Sequence, residues 1–145
     1  MNVQVKKLHP QAIIPSFGSA QAAGADLYAL LDAPVTIAPG ETLLIKTGIA
    51  MAIPDGYVGL IFARSGLATK RGLAPANKVG VIDSDYRGEL MVALHNHSLT
   101  SQQIEPHERI AQLAILPYLH PAFSETDQLD ETERGAGGFG STGTK

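Results

Sequence analysis

The chain has 145 residues, a formal net charge of −3, 44% hydrophobic residues and 17% charged residues. That length fits one domain with a sizeable core, and the composition is that of a globular chain, not a disordered one. A net negative charge excludes general attraction to nucleic acid or an anionic membrane, so any polyanion must be met by a local set of donors. Cysteine is absent, which excludes disulfides and thiolate metal sites. The opening MNVQVKKLHPQ alternates apolar and polar residues and lacks the apolar region of a signal peptide. No apolar run approaches the ~18 residues of a membrane span, and the expected location is the cytoplasm.

Nine prolines and fifteen glycines cut the chain into short pieces, which argues against long helices. In chain order, VQVKKL (3–8), TLLIKTGIAMAI (42–53), YVGLIFAR (57–64), ELMVALHNHS (89–98) and RIAQLAILPYL (109–119) read as strands. Turn chemistry separates them at APGE (38–41), PDG (54–56), DSDYRG (83–88) and EPHE (105–108). SGLATKRG (65–72) has room for one or two helical turns. Many short strands at short spacing predict an all-β sandwich, jelly roll or barrel over residues 1–123. Residues 124–133, SETDQLDETE, read as an acidic linker into the glycine-rich C-terminal segment RGAGGFGSTGTK (134–145).

GVIDSDYRGEL (80–90) runs an apolar strand into Asp83, Ser84, Asp85 and Tyr86. Two readings stand. Either this is a corner where Asp and Ser accept backbone hydrogen bonds, or Asp83 is a general base with Tyr86 beside it. In ARSGLA (63–68), Arg64 offers planar donors matched to phosphate oxygens, Ser65 and nearby backbone N–H groups add neutral donors, and Gly66 permits close approach. A surface turn accounts for the same residues. Asp26, in AGADLYA (23–29), either caps a turn or holds a metal-bound water.

In PHERIAQL (106–113), strict alternation places Arg109 with Ala111 and Leu113 on one face. Gln112 then falls on the other face beside Ile110 and Ala114, where its amide needs a partner. His95 and His97 share a strand face but have no third metal ligand near them in sequence. The tail GFGSTGTK (138–145) inverts the Gly-Lys-Ser/Thr order of a phosphate-binding loop and follows no strand. It still offers backbone N–H groups, hydroxyls, the nearby Arg134, and Phe139 free to stack on a base.

Together AGADLYA, RSGLA, GVIDSDYRGE, ERIAQL and RGAGGFGSTG, in that order and spacing, resemble the trimeric dUTP pyrophosphatases (dUTPases) from about Ala23 to Gly143. One departure is visible: Pro106-His107-Glu108-Arg109 stands where that family usually has Pro-Gly-Glu-Arg. The resemblance implies a distorted jelly-roll β-barrel in a homotrimer. Each site would be shared between chains and closed by a flexible C-terminal arm. It implies hydrolysis of dUTP to dUMP and pyrophosphate, which limits uracil in DNA and supplies dUMP for thymidylate synthesis. Mg²⁺ would be held mainly by the substrate phosphates and waters, with Asp26 reaching it through water.

By the same resemblance Asp83 activates the attacking water. Arg64, Ser65, Gly66, Gln112, Arg134, Ser141 and Thr142 would bind phosphate. Asn77, Gly80, Val81 and Ile82 would hold uracil on a hairpin formed by 73–83. Tyr86 would lie under the deoxyribose, and Phe139 would cap the base. Expected partners are dUTP and further copies of the chain, with no nucleic acid and no membrane. Two rivals remain at this point. One is a dCTP deaminase of the same fold, whose relatives resemble RSS where this chain has Arg64-Ser65-Gly66. The other is a non-catalytic jelly-roll binding module.

Overall fold

The apolar runs between the proline and glycine breaks form twelve strands and one short helix in the computed structural model, which describes residues 1–138. The strands are β1 (Gln4–Lys7), β2 (Ser16–Phe17), β3 (Ala25–Tyr28), β4 (Val35–Ile37), β5 (Thr42–Lys46) and β6 (Ile49–Ala52). They continue as β7 (Tyr57–Phe62), β8 (Leu73–Pro75), β9 (Gly80–Ile82), β10 (Met91–Asn96), β11 (Gln102–Ile104) and β12 (Arg109–Pro117), with α1 (Ser65–Arg71) following β7. The largest sheet has the order β2-β3-β12-β7-β9, and β5-β10-β8 forms a second. Two ribbons, β1-β6 and β11-β4, complete the set. All pairings are antiparallel, and chain neighbours mostly pair with distant strands, giving the distorted jelly-roll barrel.

Two sequence expectations need correction. The run 42–53 is not one strand. It breaks at Thr47-Gly48, where Gly48 takes φ 68°, so β5 joins β10 while β6 joins β1. A Cβ at Gly48 would also lie 2.6 Å from Leu30 Cδ2, so both backbone angle and space demand glycine. Nor is 73–83 a hairpin: β8 pairs with β10 and β9 with β7, so the loop between them crosses from one sheet to the other. Lys78, at φ 65°, makes the sharp turn in that loop.

The departure at His107 leaves the turn in the form a glycine would take. His107 adopts φ 63°, its N–H donates to the Ala29 carbonyl at 2.9 Å, and the Ala29 N–H donates to the Glu108 carbonyl at 2.8 Å. The left-handed region is open to histidine only with steric strain. His107→Gly is therefore expected to stabilise the fold by about 0.5–1 kcal/mol, net of glycine's greater freedom when unfolded. A shift of the urea midpoint in the opposite direction would show that the His107 side chain contributes more than its backbone costs.

The core lies between the sheets. Leu27, Ile37, Ile45, Ile49, Leu94 and Ile110 are among its fully buried members. Each contributes roughly 1.5–3 kcal/mol by leaving water. Asn96 is buried with them and fully used: its Nδ2 donates to the carbonyls of Ile37 and Thr100, and its Oδ1 accepts from Ser98. Among the described residues no helix is long and apolar enough to cross a membrane.

Candidate active site

β3, β12 and β7 lie side by side, and their register places Asp26, Gln112 and Phe62 in one row. Asp26 is nearly buried and sits between two guanidinium groups. Its Oδ1 accepts from Arg64 Nε at 2.8 Å and its Oδ2 from Arg109 Nη1 at 3.2 Å. Arg64 Nη1 also donates to the Arg109 carbonyl at 3.4 Å. One carboxylate thus orders two arginines and leaves the trio with net positive charge facing solvent, where the Arg109 side chain is 50% exposed. Asp26 caps no turn here.

Arg109 is the residue that alternation misplaced. The ladder between β12 and β3 slips between Arg109 and Ala111, and both Ile110 and Ala111 point into the core. That irregularity turns Arg109 back toward Asp26, the residue paired with Gln112. A period of two assumes an unbroken pleat, and no residue in ERIAQL announces the slip.

Gln112 has the partner its position requires: Nε2 donates to the Ala63 carbonyl at 2.9 Å, tying β12 to the segment that leads into Arg64. Its other amide atom lies close to Gly24, where a Cβ would come 2.7 Å from Oε1. Gly24→Ala is expected to displace that carboxamide and its bond to the Ala63 carbonyl, and to crowd Gln112 Cβ at 3.3 Å, at a cost of about 1 kcal/mol. The expected result is a melting temperature lower by a few degrees, with about a tenfold fall in kcat/KM for a site that uses Gln112. An unchanged kcat/KM would remove Gln112 from the site.

Ser65 opens α1 and is exposed, as is Gly66. A Cβ at Gly66 would meet nothing within 4 Å, so no contact inside the chain requires glycine there.

A second cluster forms around β9. Asn77, Gly80, Val81 and Ile82 line one small pocket of about 90 Å³ between the two main sheets. Beside it, Val81, Ile82, Asp83 and Tyr86 border an open depression of about 240 Å³. Asp83 is exposed just beyond the end of β9, and its carbonyl accepts from the Tyr86 N–H at 3.2 Å, so the corner and the exposed carboxylate coexist. The Tyr86 hydroxyl donates to the Glu89 carbonyl at 3.0 Å, folding the ring over Gly88, where any Cβ would collide with it.

The two clusters do not meet within the chain. β9 runs antiparallel to β7 with Gly80 opposite Ile61 and Ile82 opposite Gly59, so Asp83 lies toward the start of β7 while Arg64 follows its end. At ~3.3 Å per residue, the six-residue strand holds them roughly 20 Å apart. His95 and His97 do share a face, with ring centroids 4.3 Å apart. Among the described residues no three His, Cys, Asp or Glu side chains gather as a metal site. An apolar depression of about 400 Å³, lined by Met1, Val3 and Phe17 among others, also borders β3 and β12 through Ala25 and Leu113, the neighbours of Asp26 and Gln112.

Arg134 lies in a tight turn, its Nε donating to the Gly137 carbonyl at 2.9 Å. Phe139, Ser141 and Thr142 lie outside the described residues.

An all-β barrel carrying a basic cluster at one end of β7 and an exposed carboxylate beside a small polar pocket at the other belongs to the jelly-roll nucleotide hydrolases. The dUTPase family model matches residues 10–143, and the chain belongs to that family of dUTP-hydrolysing enzymes. The deoxyuridine 5′-triphosphate nucleotidohydrolase of Janthinobacterium sp. (strain Marseille) is 49% identical, with 97% of each chain covered. That of Acinetobacter baumannii (strain ATCC 17978) is 48% identical, with 99% of each covered. Among solved structures, the Staphylococcus bacteriophage 80alpha dUTPase with dUPNHPP superposes with a TM-score of 0.89 at 33% identity, covering 98% of both chains. A dUTPase mutant from phage phi11 of S. aureus, described with a structural Mg(II) ion, gives a TM-score of 0.80 at 27% identity, over 88% of this chain and 98% of that one.

Proposed function

We propose that the chain hydrolyses dUTP at the α-phosphorus, using a water activated by Asp83, in sites completed between copies of a homotrimer. The observation that carries this reading is the separation of the two clusters along β7. A general base must reach its water, and that water must reach phosphorus, within about two hydrogen-bond lengths. Asp83 cannot do this for phosphates held by Arg64, Ser65 and Gln112 of its own chain. It can for phosphates held by a second copy, and closed rotational symmetry repeats that contact in every site.

In that arrangement the uracil enters the pocket at Asn77, Gly80, Val81 and Ile82, where polar backbone and the Asn77 amide meet the edge of the base. Cytosine would present a donor where uracil has an acceptor, leaving a buried group unpaired, which supports strong discrimination. Thymine keeps the same hydrogen-bonding edge as uracil, so its methyl group would have to be excluded by steric fit. The ring of Tyr86 beneath the deoxyribose would exclude a 2′-hydroxyl. Asp83 takes a proton from water as the oxygen attacks in line; the new P–O bond forms as the bond to the β-phosphate bridge breaks, and pyrophosphate departs. Arg64, Ser65 and Gln112 place donors where negative charge builds. The open space beside Gly66 is room for a phosphate to approach the backbone.

The donor set fits Mg²⁺ held chiefly by the triphosphate. Both oxygens of Asp26 already accept from arginines, which leaves lone pairs for water but no dedicated cage. When bound, Mg²⁺ would neutralise charge on the phosphates. We assign the acidic segment 124–133 as a linker and 134–145 as a strap, in which Arg134, Ser141 and Thr142 grip the outer phosphates and Phe139 covers the uracil. Truncation after Glu133 is expected to leave a folded trimer by light scattering while removing most of the turnover. Full activity in that truncation would refute the strap.

The deciding assay is Mg²⁺-dependent pyrophosphate release across the nucleoside triphosphates. Release from dUTP alone is expected, and ammonia release from dCTP would mark a deaminase instead.

A further inference from the structure

The last residue of α1, Arg71, reaches across to the turn that starts β12. Its Nη1 pairs with Glu108 Oε1 at 2.5 Å, its Nε donates to Gln102 Oε1 at 3.3 Å, and its Nη2 donates to the Gln103 carbonyl. Both partners of the ion pair are partly buried, with side chains 31% and 23% exposed. Glu108 is engaged on its other side as well: Oε2 accepts from the Glu105 N–H at 3.0 Å, closing the turn that contains His107. The next residue is Arg109, which binds Asp26; Asp26 binds Arg64; and Arg64 is the N-cap of α1. The contacts therefore form a closed ring from Arg71 through Glu108, Arg109, Asp26 and Arg64 back along the helix.

We propose that Arg71 and Glu108 are positioning residues that set the angle of α1, and with it the placement of Arg64 and Ser65 against Arg109 and Gln112. This deepens the phosphate role given to those residues above. The helix needs such a tie. Seven residues are too few for independent stability, and Leu67 is its only buried side chain. At 1.5 Å per residue α1 is about 10 Å long, so a tilt of roughly 6° about Arg71 moves Ser65 by about 1 Å. Misplacement of that size costs up to 10²-fold in rate. Arg71 suits the task because its planar fork fixes three acceptors at once, which a lysine cannot do.

The test compares Arg71→Gln, Glu108→Gln and the double variant, with Arg71→Lys as the conservative substitution and Lys70→Gln as an exposed control on the same helix. Two readouts are taken: kcat/KM for dUTP, and calorimetric affinity for inorganic pyrophosphate with Mg²⁺. Both single variants are expected to lose about tenfold in each, with the double no worse than either single, since one interaction is removed only once. Arg71→Lys should recover only part of the loss, since it keeps the cation facing Glu108 but not the fork that also holds Gln102 and Gln103, and the control should match the unsubstituted protein. Melting temperatures should shift by only a few degrees. Pyrophosphate affinity equal to the unsubstituted protein's, additive losses in the double variant, or no pyrophosphate binding at all would each overturn the proposal. A failure to hydrolyse dUTP with pyrophosphate binding still lost in the variants would instead overturn the reaction assigned above and support the clamp.

Discussion

Asp83→Asn is expected to lower dUTP turnover by roughly 10²–10⁴-fold while the affinity for a non-hydrolysable dUTP analogue changes only a few-fold. Asparagine keeps the size of the side chain and an oxygen acceptor, so a water can still sit beside it. What it loses is the ability to take the proton as the P–O bond forms. The exposed position beyond β9 means that the change removes no core contact. Stability should therefore hold, and single-turnover rates measured against the melting temperature separate a chemical loss from a folding one. Turnover within a few-fold of the unsubstituted protein would end the general-base assignment and return Asp83 to a corner residue.

The second large effect concerns the sharing of sites. Asp83→Asn and Arg64→Ala should each be nearly inactive alone, because every site lacks one of its parts. Refolded together in equal amounts, they should regain activity. A site needs an intact Asp83 from one chain and an intact Arg64 from another, so random mixing in a cyclic trimer restores about a quarter of the sites. If both residues served the same site from one chain, mixing would restore nothing. That outcome would contradict the roughly 20 Å separation along β7 as the basis for sharing. Arg64→Ala has a further consequence within the chain: Asp26 loses its 2.8 Å partner and keeps only Arg109. Its loss should exceed that of the Arg71 variants, which leave Arg64 itself in place.

Short-range patterns carried much of this molecule. The runs at 57–64, 89–98 and 109–119 each contain a strand, because alternation and β-branched content are local properties. The helical turn at 65–72 was legible for the same reason, with Gly72 ending it in the left-handed conformation. The short strands at 16–17, 35–37 and 102–104 were not, since two or three residues carry no period to detect. Pairing partners were illegible too. Whether 42–53 bends at Gly48, or 73–83 folds on itself, depends on which sheet edge is open nearby, and that is a property of the assembled barrel.

The candidate site divides along the same line. The sequence by itself determined the residue types and their order: a carboxylate at 26, Arg-Ser-Gly at 64–66 and Asp at 83 at the ends of apolar runs, and Gln at 112 within one. Those choices reflect chemistry that any fold would need for a polyphosphate, namely planar cations, neutral donors and a base. Tertiary structure alone decided which of them meet. The register of β3 against β12 sets Asp26 beside Gln112, and an irregularity in that ladder brings in Arg109. The direction of β9 along β7 carries Asp83 away from all of them. Hydrogen-bond register is fixed by the packing of whole sheets, and so distance between side chains far apart in sequence is written only in the folded chain.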